Sequence, residues 1–240
     1  MARRASRRDS TTGASSPARN SASTDVPSVR RNRDGDVTRA AIEVFFQNGY
    51  AASSMQDVAD VVGVLKGSLY YYIASKEDLL YRIVDAVHEQ SSAILDEVLA
   101  LDLPAIERLH LYISRHVKWC LDNVEEVTVF FRDWRYLTGE RLKVVEKRRR
   151  GYERGIRQLI VAAQTDGDID SALDPRYASF FILSAVNHAP EWYDYGGTGS
   201  DSATRIATVY ADMTVGTLVG TRPRGRQKTR RAKAGPPVPR

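Results

Sequence analysis

The sequence predicts an all-α protein, and three observations carry that prediction. Between residues 37 and 220 apolar residues recur at three- and four-residue spacing, no window keeps the alternation of a half-buried strand, and the periodic segments are bounded by capping and turn residues. The 240 residues are 42% hydrophobic, enough to bury a core. A single cysteine, Cys120, excludes an intramolecular disulfide and a cysteine-based zinc site. No stretch approaches the roughly 18 to 20 apolar residues of a membrane span, and the basic start, Arg3, Arg4, Arg7 and Arg8, runs into Ser/Thr-rich sequence instead of a signal core. A cytoplasmic protein that associates with the nucleoid when bound to DNA, without cofactor, metal or membrane partner, is expected.

The net charge of +5 is unevenly spread. Residues 1–36 carry eight Arg against four Asp, and residues 221–240 carry eight Lys/Arg and no acid, which leaves residues 37–220 at −7. The ends are rich in Ser, Thr, Pro, Gly and Arg and cannot bury enough apolar surface to offset ordering. Residues 1–32 therefore read as a disordered basic arm and 221–240 as a disordered basic tail. Such arms raise DNA affinity without specificity through counterion release, or merely keep the chain soluble.

Taken in order, Val37 to Asn48 is one helix, with Ala41, Val44 and Phe45 on a face and Gly49 closing it. Ser54 with Asp57 makes a capping box for a second helix, to Val62, ended by Gly63-Val64. A third runs from Lys66 to Tyr72, and Ser75 with Asp78 starts a long helix toward Leu101. Pro104 opens a helix to Asn123, followed by Val124–Thr138 and by Arg141–Thr165, which stops at Asp166-Gly167-Asp168. Asp174-Pro175 begins another that reads to Tyr193, with Pro190 as a kink or early stop. The last spans Asp201–Val219, giving nine helices. Three form a module over residues 33–80 and six a second module over 81–220.

Two short helices joined by a tight glycine turn, after a third, have the plan of a helix-turn-helix that places a helix in the major groove. Leu69 points inward, while Lys66, Ser68, Tyr70, Tyr71 and Tyr72 offer hydroxyls and an ammonium suited to phosphates and base edges. Residues 37–82 nevertheless sum to −1, so attraction to DNA rests on helix N-termini at Ser54 and Ser75, on Lys66 and Lys76, and on Arg30, Arg31 and Arg33 upstream. The run Gly49-Tyr50, Ser53 to Ala59, Gly63-Val64, Lys66 to Tyr72 and Ser75 to Leu80 resembles the signature of the TetR family of repressors. The resemblance implies that Ser54 and Gln56 begin a DNA-facing helix, that Ser68, Tyr70 and Tyr71 lie on the recognition helix, and that Lys76 meets a phosphate. Ile73 stands where the family favours an aromatic, and Leu65 where a small polar residue is common.

The second module carries large aromatics at inward spacing: Phe130, Phe131 and Trp134 on one helix, and Tyr177, Phe180, Phe181 and Trp192 on another. Such stripes are core or pocket; the resemblance implies an effector cavity among the middle helices, lined by Trp119, Cys120, Phe130, Phe131, Trp134, Arg149, Tyr152, Phe180, Asn187, His188 and Trp192. Arg149 falls in the apolar stripe of its own helix, so it needs a partner: either Asp133 or Glu126, or an anionic head group. His188 reads more simply as a buried histidine satisfied by backbone. Trp192-Tyr193 with Gly196-Gly197 resembles a short motif of actinobacterial TetR-type repressors of steroid and fatty-acid breakdown, which implies an acyl-coenzyme A thioester. Small residues on the last helix, with Ala203, Ile206, Ala207, Tyr210 and Met213, point to a homodimer interface. Two recognition helices about 34 to 36 Å apart would read a roughly palindromic operator.

An enzyme is disfavoured: the chain holds no GxSxG or GxxxxGK, and Glu107-x-x-His110 lacks the second copy a di-iron bundle needs. An architectural DNA-binding protein that senses no ligand is the other alternative. Deleting both basic ends separates the two in a filter-binding salt titration: a specific regulator should lose part of its salt slope yet keep its preference for one palindrome, whereas loss of that preference would remove Gln56, Ser68 and Tyr71 from the reading role.

Overall fold

The computed structural model describes residues 26–193 and 202–220, with side chains from residue 34 onward. Along it run α1 (Val26–Asn48), α2 (Met55–Val62), α3 (Lys66–Leu69), α4 (Lys76–Leu99), α5 (Ala105–Asp122), α6 (Val124–Asp133), a 3-10 turn at Trp134–Tyr136, α7 (Gly139–Thr165), α8 (Pro175–Asn187), the single turn α9 (Ala189–Trp192) and α10 (Ala203–Gly220). Among the described residues no strand occurs, and the nine expected helices are all found, the eighth broken between α8 and α9. Residues 1–25, 194–201 and 221–240, which include the basic tail and Gly196-Gly197, lie outside the described residues.

Local chemistry explains most boundaries. Ser54 Oγ accepts from the Asp57 amide at 3.3 Å while the Asp57 carboxylate accepts from the Ser54 amide at 2.7 Å, which satisfies two free donors at the start of α2. Gly63 closes α2 in the left-handed region, φ 75°, and its amide and that of Val64 both reach the Ala59 carbonyl. The second capping box is only half made: Ser75 accepts from the Asp78 amide, but the Asp78 carboxylate turns to Arg82 at 3.2 Å and Arg141 at 2.7 Å.

Five boundaries differ from expectation. Helix α1 begins at Val26, inside the stretch read as a disordered arm, because its polar leading turns carry no apolar period to reveal them; among the residues whose side chains are described, Val37 is the first that is buried. Helix α3 is one turn long, since Tyr72 and Ile73 both donate to the Leu69 carbonyl and close the chain into a turn. Helix α6 gives way to the 3-10 turn at Trp134, before Thr138, and α7 starts at Gly139. Helix α8 stops at Asn187, ahead of Pro190, which has no amide to donate and sits in the first turn of α9.

Two apolar cores result. One joins α1, α2, α3 and the first half of α4 to Val129, Phe130, Trp134 and Leu137 around α6, so the DNA-side module is anchored on the second module's own residues. The other unites the end of α4 with α5, α7, α8 and α10. Here two expectations are corrected. Ile206 and Ala207 are buried against α5 within the same chain, because the small residues of α10 serve that close packing. Tyr177 and Phe181 face outward and Phe180 lies along an open cleft instead of in the core, because Ala178, Ser179, Ile182 and Val186 occupy the buried side of α8. Replacing Ser54 by Ala removes the α2 cap and should lower unfolding free energy by about 1 kcal/mol in urea titration.

Candidate DNA interface and effector cleft

The helix-turn-helix leaves Ser54, Gln56, Lys66, Ser68, Tyr70 and Tyr71 exposed around a buried Leu69, so the chain keeps one apolar anchor in α3 and presents its polar side. Gln56 Nε2 is held by Asp60 at 2.7 Å, one turn along α2. Lys76 is placed differently: its ammonium donates to the Tyr50 and Ser53 carbonyls at 2.8 and 2.7 Å and lies 4.3 Å from the Tyr50 ring centre, tying the start of α4 to the loop before α2. One of its three N–H groups remains for a phosphate. Arg33 lies on α1, outside the residues whose side chains are described.

The end of α1 is held by α6. Arg132 donates to the Phe46 carbonyl and, beside the Gly49 amide, to the Phe45 carbonyl at the end of the helix. Asp133, 2% exposed, accepts from the Tyr50 amide at 3.3 Å and from Arg132 at 2.9 Å. Thr138 N and Oγ1 donate to Glu77, and Arg141 pairs with Asp78, so the start of α4 is bound to the α6–α7 corner as well.

Beside this joint opens a cleft of about 770 Å³ between α6, α7, α8 and α9, lined by Phe131, Trp134, Phe180 and Leu183 and by Arg132, Arg135, Arg149 and Arg150. It shares Phe131, Arg149, Leu183 and Asn187 with a smaller inner chamber of about 60 Å³, walled by Val87, Trp119, Phe130, His116 and Tyr152. Arg149 lies 4.7 Å from the Trp134 ring centre and 5.4 Å from that of Phe130, and Arg135 lies 4.6 Å from Trp134. Burial and the neighbouring Arg135 both pull the Arg149 pKa down. Asp133 is taken by Arg132, and among the described residues Glu126 forms no ion pair and Arg149 has no acidic partner.

Comparison with known proteins finds matches in both modules. The family model described as bacterial regulatory proteins, tetR family, matches residues 37–83, and the one described as tetracyclin repressor-like, C-terminal domain, matches residues 102–218. The chain belongs to the TetR family of bacterial transcriptional regulators. This TetR-family chain is 25% identical over 158 residues to the fatty acid metabolism regulator protein of Bacillus subtilis, covering 66% of its own length and 81% of that relative. Among solved structures it is similar to the ketosteroid transcriptional regulator KstR2 of Mycobacterium tuberculosis, with TM-score 0.73, 21% identity and coverage of 78% and 94% of the two chains. It is also similar to AibR in complex with isovaleryl coenzyme A and operator DNA, with TM-score 0.68, 24% identity and coverage of 78% and 98%. The TetR-family protein is thus a DNA-binding regulator and not an enzyme; His110, raised as half of a metal motif, pairs with Asp212 at 2.8 Å. No described helix is long and apolar enough to cross a membrane.

Most of the expected effector residues line the TetR-family chain's cleft or chamber: Trp119, Phe130, Phe131, Trp134, Arg149, Tyr152, Phe180, Asn187 and His188. Two do not. Cys120 is fully buried behind His116, 3.5 Å from its Nε2, because α5 turns it to the core. Trp192 is half exposed and stacks on Tyr210 at 5.8 Å, because the break at His188 swings α9 away from the line of α8. His188 is exposed at the rim beside Glu191, not buried. The buried histidine is His116, which sequence reasoning missed; a polar residue in the apolar stripe of α5 was the same signal that marks Arg149. Arg132 and Arg135 were missed too, since nothing local says which arginine of a surface run turns toward a cleft.

Burial holds the His116 pKa down at about 4, from 6.5. A depressed basic group binds fewer protons folded than unfolded, so its contribution is intact above pH 6.5 and is lost as pH falls toward 4. The stability of the regulator against urea should therefore fall as pH is lowered from 6.5 to 4, and His116→Gln should flatten that dependence.

Proposed function

We propose that this TetR-family chain is a repressor that binds a roughly palindromic operator as a homodimer and is released when an acyl-coenzyme A type effector occupies the cleft. One observation carries the reading: Arg132 lines the cleft and also holds the last carbonyls of α1, so a group bound in the cleft meets the same side chain that positions the DNA-side module. An anion drawing Arg132 away favours a second placement of that module, and an effector that binds the second placement better shifts the population off DNA. The effector class is supported by apolar walls beside Arg135 and Arg149, which have no acidic partner among the described residues, and by relatives named for fatty acid metabolism or solved with isovaleryl coenzyme A.

Exposed Ser54, Gln56, Lys66, Ser68, Tyr70 and Tyr71, with Lys76 and Arg33, would face the operator. The dimer is supported by large apolar side chains turned outward on two helices, Tyr177 and Phe181 on α8 and Val209 and Met213 on α10, Tyr177 and Met213 being 66% and 67% exposed. Two such pairs of helices across a two-fold axis make a four-helix bundle. In fluorescence anisotropy with DNA from upstream of its own coding sequence and excess competitor, the protein should bind tightly and be released by an acyl-coenzyme A thioester. Arg132→Ala should weaken operator binding about tenfold and shrink the effector response; unchanged binding and response would remove the joint from the mechanism.

A further inference from the structure

The inner chamber carries a chain of polar groups whose direction follows from burial. His116 is neutral, so with the Asn187 carbonyl oxygen 3.4 Å from Nε2 that nitrogen carries the proton, and Nδ1 accepts from the Tyr152 hydroxyl at 3.0 Å. Tyr152 in turn accepts from the Tyr112 hydroxyl at 2.9 Å, both phenols being held protonated by burial. The donors of Tyr112, Tyr152 and His116 are thus all used within the protein. What remains is the amide N–H pair of Asn187, a residue that lines both the chamber and the outer cleft. An unused N–H donor suits an oxygen with no proton of its own, a carbonyl, better than a hydroxyl or an amine.

Arg149 lines the same two spaces, and it and Arg135 both lie against the Trp134 indole without an acid among the described residues. Two such cations call for an anion close to the carbonyl. The chamber sets the third condition: about 60 Å³ holds roughly four or five non-hydrogen atoms.

We infer that the effector is a short-chain acyl compound whose compact apolar end fills the inner chamber, whose carbonyl oxygen accepts from Asn187, and whose anionic group rests between Arg135 and Arg149. This deepens the repressor reading and rests on it only for the consequence on DNA, since binding is measured without DNA. Isothermal calorimetry on the full chain should compare butyryl-coenzyme A, acetoacetate and palmitoyl-coenzyme A. Butyryl-coenzyme A should bind at least about tenfold tighter than palmitoyl-coenzyme A, and Asn187→Leu and Arg149→Gln should each weaken it about tenfold. Phe131→Ala, which enlarges the chamber wall, should shift the preference toward hexanoyl-coenzyme A. Acetoacetate binding as tightly as the short thioester identifies the anion as a carboxylate, and binding confined to the thioester identifies it as a coenzyme phosphate; either supports the assignment. Equal or tighter binding of palmitoyl-coenzyme A, an unchanged affinity in Asn187→Leu, or no binding of any short compound overturns it. Failure of a bound short thioester to release operator counts against the repressor reading alone.

Discussion

The buried carboxylate of Asp133 is the constraint around which the two modules are arranged. A carboxylate at 2% exposure is costly unless hydrogen-bonded and paired, and leaving one such charge without its partner costs about 3–5 kcal/mol. Here its partners come from both sides of the module boundary: the Tyr50 amide just after α1 and the Arg132 guanidinium beside it on α6. Arg132 extends the same connection by donating to the Phe45 and Phe46 carbonyls, so the end of one helix is satisfied by side chains of another nearly ninety residues on. The position of the helix-turn-helix follows, because α1 packs on α2, α4 and α6.

The same boundary explains where the cleft lies. Phe130 and Trp134 belong to the core that carries the DNA-side module, and Leu183 and Tyr152 pack with the other core; the cleft and chamber open between them. A seam between two cores can change without disrupting either, because each is densely packed and moves as a unit. Its charge is as informative as its place: Asp133 is one of the partners the sequence leaves open to Arg149, yet that carboxylate is committed to the joint, and the guanidinium is left on aromatic faces. A cation–π contact compensates part of the lost hydration and leaves the fork of donors open.

Much of this was legible in the residues. Ser54 with Asp57 and the glycines at 49 and 63 mark local, short-range chemistry, and the helices they bound are found where the spacing puts them. The run Lys66 to Tyr72 resembled the family signature because an anchor, Leu69, sits among exposed polar neighbours. Facing is harder to read than existence. Tyr177, Phe180 and Phe181 carry the period of a helix, but whether an aromatic stripe turns to the core, to a cleft or outward depends on which neighbours the chain brings across, and α8 gives its buried side to small residues and Ile182. Ile206 and Ala207 were placed at a partner for the same reason, when α5 already occupies that side. His116 shows the opposite failure, a readable polar interruption in an apolar stripe, and Arg132 had no readable signal because its partners are backbone carbonyls distant in sequence.

Hydrogen exchange at the Tyr50 amide tests the joint most directly. That amide is protected by Asp133, so effector occupancy of the cleft should speed its exchange while the amides inside α5, far from the joint, exchange as before. Exchange at Tyr50 that stays unchanged when a bound effector has released the operator would show that the signal travels by another route.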